Sequence, residues 1–386
     1  MVEESRIKTN LKKFAFPRLS GTQHELKAFN RVKSEVESLN LDFEVQNFSY
    51  SSFYSRTYPK VAFTSGSLIF LILYLRYHVI FSTITLAILG NILVLSILLT
   101  RRPEDIRVLK RFNSQNLLIK FKSLSERLKS NERIALFISH LDSKGQRFTI
   151  RFRIRMIKLW IATIIMLGCG LPFKFLIDWR FLELIYIIIT FPLTMNLFSA
   201  FLIILNSTNN RSEGAVDNAS GIACNLELLN HYSNEKNRLL NYDVWLLFTG
   251  AEECGTMGVR HFYNNLRKFN PNKSIIFNFE SIANHVYLFP GGKEGAHAQD
   301  IDKLLLNNAR DLRIHHYITN RVLGTHSDGG FLGDKGFQGF GIGEVEAYEY
   351  MHTTKDTLEK IDTSILKKLC LVLTDSLKKH DSTFFQ

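Results

Sequence analysis

The chain has 386 residues, of which 46% are hydrophobic, 12% aromatic and 22% charged, and its formal net charge is +12. These proportions exclude a disordered or fibrous chain. The mean hydropathy of -0.01 is high for a soluble protein of this charge and low for one embedded throughout in a membrane. We therefore expect apolar and polar segments to be separated along the sequence.

The first 60 residues are polar and contain one clear helical segment. Residues 22–39 repeat apolar side chains with helical spacing, and Thr22 and Glu25 have the spacing of an N-terminal capping box. The opening residues lack the apolar centre of a signal peptide, so we expect no secretory leader. The four cysteines of the chain are widely spaced, with no Cys-x-x-Cys pair, which favours a reducing cytoplasm over a disulfide framework.

Two long apolar stretches follow, at residues 61–100 and 156–205. A helix that spans a membrane needs about 20 predominantly apolar residues. Each stretch holds two candidate helices separated by a short polar link, which contains Arg76 in the first stretch and runs from Lys174 to Arg180 in the second. The pattern predicts two transmembrane hairpins, and the alternative is buried helices of a soluble protein. The predicted spans are Val61–Leu75, Val79–Leu99, Leu159–Leu176 and Leu182–Leu205.

Basic residues are concentrated at the outer ends of these hairpins rather than at their tips. By the positive-inside rule, the polar bulk of the protein then lies on the cytoplasmic side. The basic stretch 146–158 would lie against anionic lipid headgroups. A basic chain can also bind nucleic acid, but the sequence has no motif for it, so we expect the lipid bilayer and no nucleic acid as a partner. The flanking basic residues are Arg56, Lys60, Arg101, Arg102, Lys110, Arg111, Arg147, Arg151, Arg153, Arg155 and Lys158.

The polar remainder consists of residues 1–60, 101–155 and 206–386, in which short β-type runs alternate with helical patterns. The β-type runs are IALFIS, VWLLFT, SIIFNF and HVYLF. This alternation predicts an α/β fold with a mixed, mostly parallel central sheet flanked by helices. We expect the three segments to form one catalytic domain, interrupted by the two hairpin inserts at 61–100 and 156–205.

Side chains that commonly bind metal ions follow the ends of these strands or lie in polar loops. In open α/β sheets, sites form outside the carboxyl ends of the strands, and histidine with carboxylates suits zinc. Each such residue alone is commonly a surface or loop residue, but the set is far more specific. The set comprises His140 and Asp142 after IALFIS, Asp217 within GAVDNASG, Glu252 and Glu253 after VWLLFT, Glu280 after SIIFNF, and His352 within MHTTKD.

This order of motifs resembles the zinc-dependent exopeptidase family that contains bacterial leucyl aminopeptidases, glutamate carboxypeptidase II and, more distantly, glutaminyl cyclases. The resemblance covers nearly all of the polar sequence, and GAVDNASG with the GAEE segment is its most specific part. It is carried by HLD at 140–142, GAVDNASG at 214–221, FTGAEECG at 248–255, Glu280 and HTTKDT at 352–357.

The resemblance implies two co-catalytic zinc ions bridged by the two carboxylate oxygens of Asp217. His140 and Glu280 would complete one metal site, and Glu253 and His352 the other. In the family, the position of Glu280 is more often aspartate.

The resemblance also implies roles for two residues beside these ligands. Asp142 would orient His140 through the second ring nitrogen of the imidazole. Glu252 would be the general base that takes a proton from a metal-bridging water. A cis peptide bond is expected between Asp217 and Asn218.

We therefore predict a membrane-anchored zinc aminopeptidase with about four membrane spans and its catalytic domain on the cytoplasmic side. Its substrate would be a peptide or another amide with a free α-amine. The alternatives are an amide hydrolase for a membrane-embedded or lipidated substrate, a glutaminyl-cyclase-like acyltransferase, and a receptor without activity. The oligomeric state is left open. Because His140 and Asp217 must share one metal cluster, the insert between them crosses the membrane an even number of times.

Overall fold

The structure is a computed structural model that describes residues 2–75, 79–125, 133–176, 182–290, 295–309, 312–316 and 327–383. The predicted hairpin tips at Arg76 and at 177–180 lie outside these residues. The chain divides into two compact units. Unit 1 comprises Met1–Tyr50, Phe112–Gly145 and Asn209–Gln386, and unit 2 comprises Ser51–Arg111 and Gln146–Thr208.

Unit 1 is built on an eight-stranded sheet with the order β1-β2-β6-β3-β7-β10-β8-β9. The central strands β6, β3, β7 and β10 are parallel to one another, whereas β2 and β8 pair antiparallel with β6 and β10. The strands of the chain are β1 (Glu44–Ser51), β2 (Arg111–Phe121), β3 (Ile134–His140), β4 (Gly145–Gln146), β5 (Thr208–Asn209), β6 (Asp243–Thr249), β7 (Ile275–Phe279), β8 (Val286–Pro290), β9 (Ile314–His316) and β10 (Gln338–Gly343). The predicted mixed, mostly parallel sheet is confirmed.

Helices cover both faces of this sheet, which explains why its central strands are continuous apolar runs in the sequence. Every residue of β3 and β6 is buried, as expected for strands covered on both sides. Ala135 and Phe137 contribute to one apolar core, and Leu136 and Ile138 contribute to the other. The helices of unit 1 are α1 (Glu4–Phe14), α2 (Gln23–Ser38), α7 (Ser220–Ser233), α8 (Met257–Leu266), α9 (Ala296–Asn308), α10 (Asp328–Asp334) and α11 (Thr363–Thr383).

The carboxyl ends of β6, β3 and β7 lie side by side. In the register of the sheet, His140 at the end of β3 lies beside Thr249 of β6, and Ser139 lies beside Phe279 of β7. The residues that follow Thr249 and Phe279 therefore start from neighbouring points on one edge of the sheet.

Unit 2 contains four helices that are long and apolar enough to cross a membrane. They are α3 (Tyr58–Leu75), α4 (Val79–Leu99), α5 (Ile150–Leu176) and α6 (Leu182–Ile204). The predicted bounds of α4 are reproduced, and those of α6 differ by one residue. Helix α5 begins nine residues before the predicted Leu159, so most of the basic stretch is helical. The apolar run of α5 predicts only the part of the helix that fits a membrane. The helix itself continues beyond this run at its amino end.

Three helices of unit 2 share a buried polar network. The Ser67 hydroxyl of α3 donates to Asn196 Oδ1 of α6 at 2.7 Å, and Asn196 Nδ2 donates to the Thr163 hydroxyl of α5 at 3.0 Å. Trp160 Nε1 donates to Ser67 Oγ at 2.9 Å. Bonds of this kind between apolar helices contribute about 1 kcal/mol each to their association.

Arg18 is fully buried in unit 1 and binds backbone carbonyl groups. Its guanidinium donates to Leu141 O at 2.9 Å, Glu213 O at 2.8 Å and Gly214 O at 3.0 Å. The same group donates to the carbonyl oxygens of Phe14 and Phe16. Burial lowers the pKa of Arg18 to about 10, so the side chain is still charged at neutral pH. One side chain thus joins three segments that are far apart in sequence.

We predict that Arg18→Lys strongly destabilises the protein. Lysine keeps the charge but offers three donors to five carbonyl groups, and each buried carbonyl left without a donor costs roughly 1–3 kcal/mol. We expect the free energy of unfolding to fall by about 2–6 kcal/mol, measured by urea unfolding of the detergent-solubilised full chain. The exposed Arg211 provides the control, because Arg211→Lys should change stability by less than about 0.5 kcal/mol. Equal effects of the two substitutions would show that Arg18 is not a structural clamp.

Candidate metal centre

Two groups of predicted ligands converge at the carboxyl edge of the sheet. His140, Asp217 and Glu280 form one group, in which the ligand atoms lie within 4.8 Å of one another. His140 Nε2 lies 3.1 Å from Asp217 Oδ1 and 3.7 Å from Glu280 Oε2. His140 is the last residue of β3, Asp217 lies in the loop before α7, and Glu280 directly follows β7. The strand order of the sheet therefore brings them together.

Asp217, Glu253 and His352 form the second group, in which the ligand atoms also lie within 4.8 Å of one another. His352 Nε2 lies 3.1 Å from Asp217 Oδ2 and 2.6 Å from Glu253 Oε1. Asp217 is shared by both groups, and its two carboxylate oxygens face different histidines. This is the arrangement that a bridging carboxylate requires.

The loop that carries Asp217 is tightly constrained. Gly214 has a φ of +57°, and a Cβ at this position would lie 2.4 Å from Ser143 Cβ and 2.6 Å from Asp217 O, so a side chain is excluded. The Asp217–Asn218 peptide bond is cis, as the resemblance implied. Asp356 Oδ1 accepts a hydrogen bond from Val216 N at 2.6 Å, and its Oδ2 accepts from Asp217 N at 3.3 Å. Asp356 therefore positions the backbone of Asp217, which both groups share.

Asp142 connects His140 to the carboxylates that follow β6. His140 Nδ1 lies 3.1 Å from the carbonyl oxygen of Asp142 and 3.4 Å from its Oδ1. The Asp142 carboxylate accepts from Glu252 N at 3.1 Å and from Glu253 N at 3.0 Å. Asp142 therefore does more than the orientation of His140 expected from the sequence, because it also fixes the turn that carries Glu252 and Glu253.

Glu25 has a similar positioning role, which the sequence reasoning missed. Its Oε1 accepts from Ala251 N at 2.9 Å and from the Ser114 hydroxyl at 2.7 Å, and its Oε2 accepts from Gly21 N at 2.6 Å. The predicted capping box is therefore only half formed: Thr22 Oγ1 accepts from His24 N, whereas Glu25 turns to the loop after β6. Burial raises the pKa of Glu25 to about 8.

Burial dominates the electrostatics of the site. It raises the pKa of Glu252 well above its usual value, and it also raises the pKa of Glu280. Burial alone would also raise the pKa of Asp217. The hydrogen bonds with His140 and His352 outweigh burial there and lower the pKa of Asp217. Asp217 is therefore anionic, whereas Glu252 can exchange a proton closer to neutral pH.

The site holds more carboxyl groups than cationic side chains to balance them. Lys144 Nζ lies 3.5 Å from Glu253 Oε2, and Arg18 contributes positive charge beside Asp142 and Asp217. Within the described residues, Glu252 Oε1 and Asp328 Oδ1 are buried without a hydrogen-bond partner. Buried carboxyl oxygens of this kind stay anionic only with positive charge nearby. The carboxyl groups are those of Asp142, Asp217, Glu252, Glu253, Glu280 and Asp328.

The donor set fits zinc. Imidazole nitrogens and carboxylate oxygens are the ligands of catalytic zinc sites, and here each group of three contains one histidine and two carboxylates. Divalent cations would also supply the positive charge that the buried oxygens lack. Lys144 and Asp328 were not predicted as ligands, and neither belongs to the two groups.

Comparison with known proteins agrees with this geometry. Residues 199–375 match the family model for peptidase family M28. The matched region includes Asp217, Glu252, Glu253, Glu280 and His352, and His140 precedes it. No curated protein sequence matches the chain.

Solved structures with the same fold have low sequence identity. A zinc aminopeptidase from Bacillus subtilis, BSAP, is 13% identical, with a TM-score of 0.57, covering 98% of this chain and 95% of that one. An aminopeptidase from Aneurinibacillus sp. strain AM-1 is also 13% identical, with a TM-score of 0.56, covering 97% and 93% of the two chains. A glutaminyl cyclase from Fimbriiglobus ruber is 13% identical, with a TM-score of 0.51, covering 98% and 95%. The family match over residues 199–375 and these structures confirm the resemblance to the zinc-dependent exopeptidase family.

Proposed function

We propose that the protein is a membrane-anchored aminopeptidase that uses two zinc ions. The observation that carries this proposal is the position of Asp217, whose two oxygens each lie 3.1 Å from a different histidine. His140 and Glu280 would hold one ion with Asp217, and Glu253 and His352 would hold the other. When bound, the ions would lower the pKa of a water molecule and polarise the scissile carbonyl group.

Glu252 would act as the general base. It lies next to the ligand Glu253, and its Oε1 is buried without a hydrogen-bond partner in the described part of the chain. Oε1 can therefore accept a proton from the attacking water and deliver it to the leaving amine. Burial raises the pKa of Glu252, which makes its carboxylate a stronger base for this proton.

The substrate proposed is a peptide or amide with a free α-amine. The zinc aminopeptidase BSAP has the same fold, which supports this class. A glutaminyl-cyclase-like acyltransferase has a structural counterpart too, but the presence of both ligand groups favours the hydrolase, because those relatives typically work with one zinc.

Two insertions would anchor the protein in the membrane. The chain leaves unit 1 after Tyr50 and returns at Phe112, and it leaves again after Gly145 and returns at Asn209. Each excursion contains two helices of membrane-spanning length. Because both excursions return to the same unit, each would cross the membrane an even number of times. The basic residues at the outer ends favour the cytoplasmic side for unit 1.

We predict that Glu252→Gln abolishes most of the peptidase activity while the protein keeps its zinc. Loss of a general base typically lowers the rate by about 10²–10⁴-fold, and glutamine has nearly the same shape as glutamate. Hydrolysis of a panel of aminoacyl amides gives the rate, and elemental analysis gives the metal content. Glu359→Gln, at an exposed glutamate, is the matched control and should keep full activity. Unchanged turnover by Glu252→Gln would refute the assignment.

If Asp217 is shared by two zinc ions, substitutions at Asp217 and His352 should remove different numbers of ions. Asp217→Ala removes a ligand from both groups and should lower the zinc content by two ions per chain. His352→Ala removes a ligand from one group only and should lower it by one. Elemental analysis of the purified full-length proteins measures both differences. An equal loss in the two variants would argue against a shared carboxylate.

The topology can be tested with reporters in the full chain. A reporter inserted after Arg76 should lie on the side of the membrane opposite to one inserted within residues 126–132. Protease protection in sealed vesicles distinguishes the two sides. Reporters on the same side would show that the first insertion does not form a transmembrane hairpin and would remove the anchoring part of the proposal.

A further inference from the structure

A second cluster of histidines lies within unit 1, away from the residues discussed so far. It consists of Tyr242, His297 and His380. The Tyr242 hydroxyl lies 3.1 Å from His297 Nδ1 and 3.2 Å from His380 Nε2, and the two ring nitrogens are 3.2 Å apart. Three polar atoms on three side chains therefore form a nearly equilateral triangle.

The cluster lies at the opposite end of β6 from the candidate catalytic site. Tyr242 directly precedes the first residue of β6, whereas Glu252 and Glu253 follow the last one. His297 belongs to α9 and His380 to the last turns of α11. Tyr242 and His380 are fully buried, and His297 is 9% exposed. The triangle thus joins a strand and two helices in a nearly dry environment.

The protonation of His380 limits how the triangle can be satisfied. His380 Nδ1 lies 2.6 Å from Asp300 Oδ2, so Nδ1 carries a proton and the neutral ring presents a lone pair at Nε2. The Tyr242 hydroxyl and His297 Nδ1 then supply at most two protons for three contacts. With His380 neutral, one contact therefore has no proton between its two atoms.

A metal ion would satisfy all three atoms at once. Zinc binds histidine nitrogen and anionic oxygen at 2.0–2.2 Å in tetrahedral geometry, which separates ligands by about 3.3 Å. The observed spacings of 3.1–3.2 Å are close to this value. Asp300 occupies the place of the carboxylate that orients most metal-binding histidines through their second nitrogen.

We propose that Tyr242, His297 and His380 form a binding site for a zinc-class divalent transition-metal ion, separate from the catalytic centre. Tyr242 binds as the phenolate, His297 through Nδ1 and His380 through Nε2, and a water molecule completes the tetrahedron. The ion would join α9 and α11 to the amino end of β6.

The surroundings of the triangle favour a neutral His297, whereas Tyr242 would lose its proton only when the ion binds. Burial lowers the pKa of His297 to about 4, so its ring is neutral and its lone pair is available at physiological pH. Burial raises the pKa of Tyr242, while Arg133 opposes this and favours the phenolate. The negative charges of Asp381 and Asp300 raise this pKa further, so the bound ion would have to supply the positive charge that stabilises the phenolate.

Zinc content and affinity of the full-length protein test the proposal. Asp217→Ala, which removes the catalytic ions, should still retain one zinc per chain after exhaustive dialysis. Adding His297→Gln should remove this last ion. Competition with a chelator gives the affinity, and Asp300→Asn should weaken it by about 10–100-fold, as is typical when a carboxylate behind a ligating histidine is lost.

Asp302→Asn is the matched control for Asp300→Asn. It makes the same charge change two positions along α9, where the side chain points in a different direction, and zinc affinity should be unchanged.

If Asp217→Ala does not fold, the single variants His297→Gln and Asp300→Asn answer the question, since each should lower the zinc content or affinity of the otherwise unaltered chain. Retention of the ion at full affinity in these variants, or no ion in folded Asp217→Ala, would leave a hydrogen-bonded triad and overturn the proposal. Because this ion is counted in the absence of the catalytic ions, its loss is distinguishable from failure of the proposed peptidase function.

Discussion

The buried guanidinium of Arg18 is the contact on which the geometry of the site depends. It binds Leu141 O in the loop after β3 and the carbonyl oxygens of Glu213 and Gly214 before the shared ligand Asp217. Arg18 N also donates to Ser143 Oγ at 2.9 Å. The segment before α2 therefore holds two loops that are separated by the whole insertion from Gln146 to Thr208. This contact explains how a domain can tolerate an insertion between two parts of one metal centre.

Five buried carboxyl groups around the candidate site fall into two sets with different partners. Glu25, Asp142 and Asp356 accept hydrogen bonds from backbone amides in the loops that carry the site. Such bonds fix backbone position and stabilise the negative charge locally. Asp217 and Glu253 instead face histidine nitrogens, and this difference separates groups that position the site from groups that can bind metal. Because the second set gathers negative charge with no backbone donor among the described residues, metal binding would be coupled to the stability of the fold.

The sequence predicts the five side chains that converge at the candidate metal centre but few of the contacts that arrange them. Strands and spanning helices could be predicted because burial on both faces, or in a membrane, leaves a continuous apolar run, as in β3 and α4. Arg18 and Glu25 could not be predicted because Arg18 binds Leu141 O and Glu25 accepts from Ala251 N, which are backbone groups more than 120 residues away and leave no residue pattern. Glu25 shows the consequence clearly: its spacing from Thr22 indicates a local cap, but Ala251 N and the Ser114 hydroxyl compete for the carboxylate. Strands β1 and β2 also escaped prediction, since partial exposure interrupts their apolar pattern.

Strand β6 connects the two histidine clusters of unit 1. At its carboxyl end, the turn through Glu252 and Glu253 is fixed by Asp142, and at its amino end Tyr242 contacts His297 and His380. A parallel strand buried on both faces cannot slide along its neighbours without moving its side chains to the wrong face. Its two ends are therefore rigidly related, and whatever fixes Tyr242 also restricts the start of the strand that carries the proposed general base. Helix α11 contributes His380 and packs against the core that contains α1 and α7, so the amino-end cluster ties the last helix of the chain to the central strand of the site.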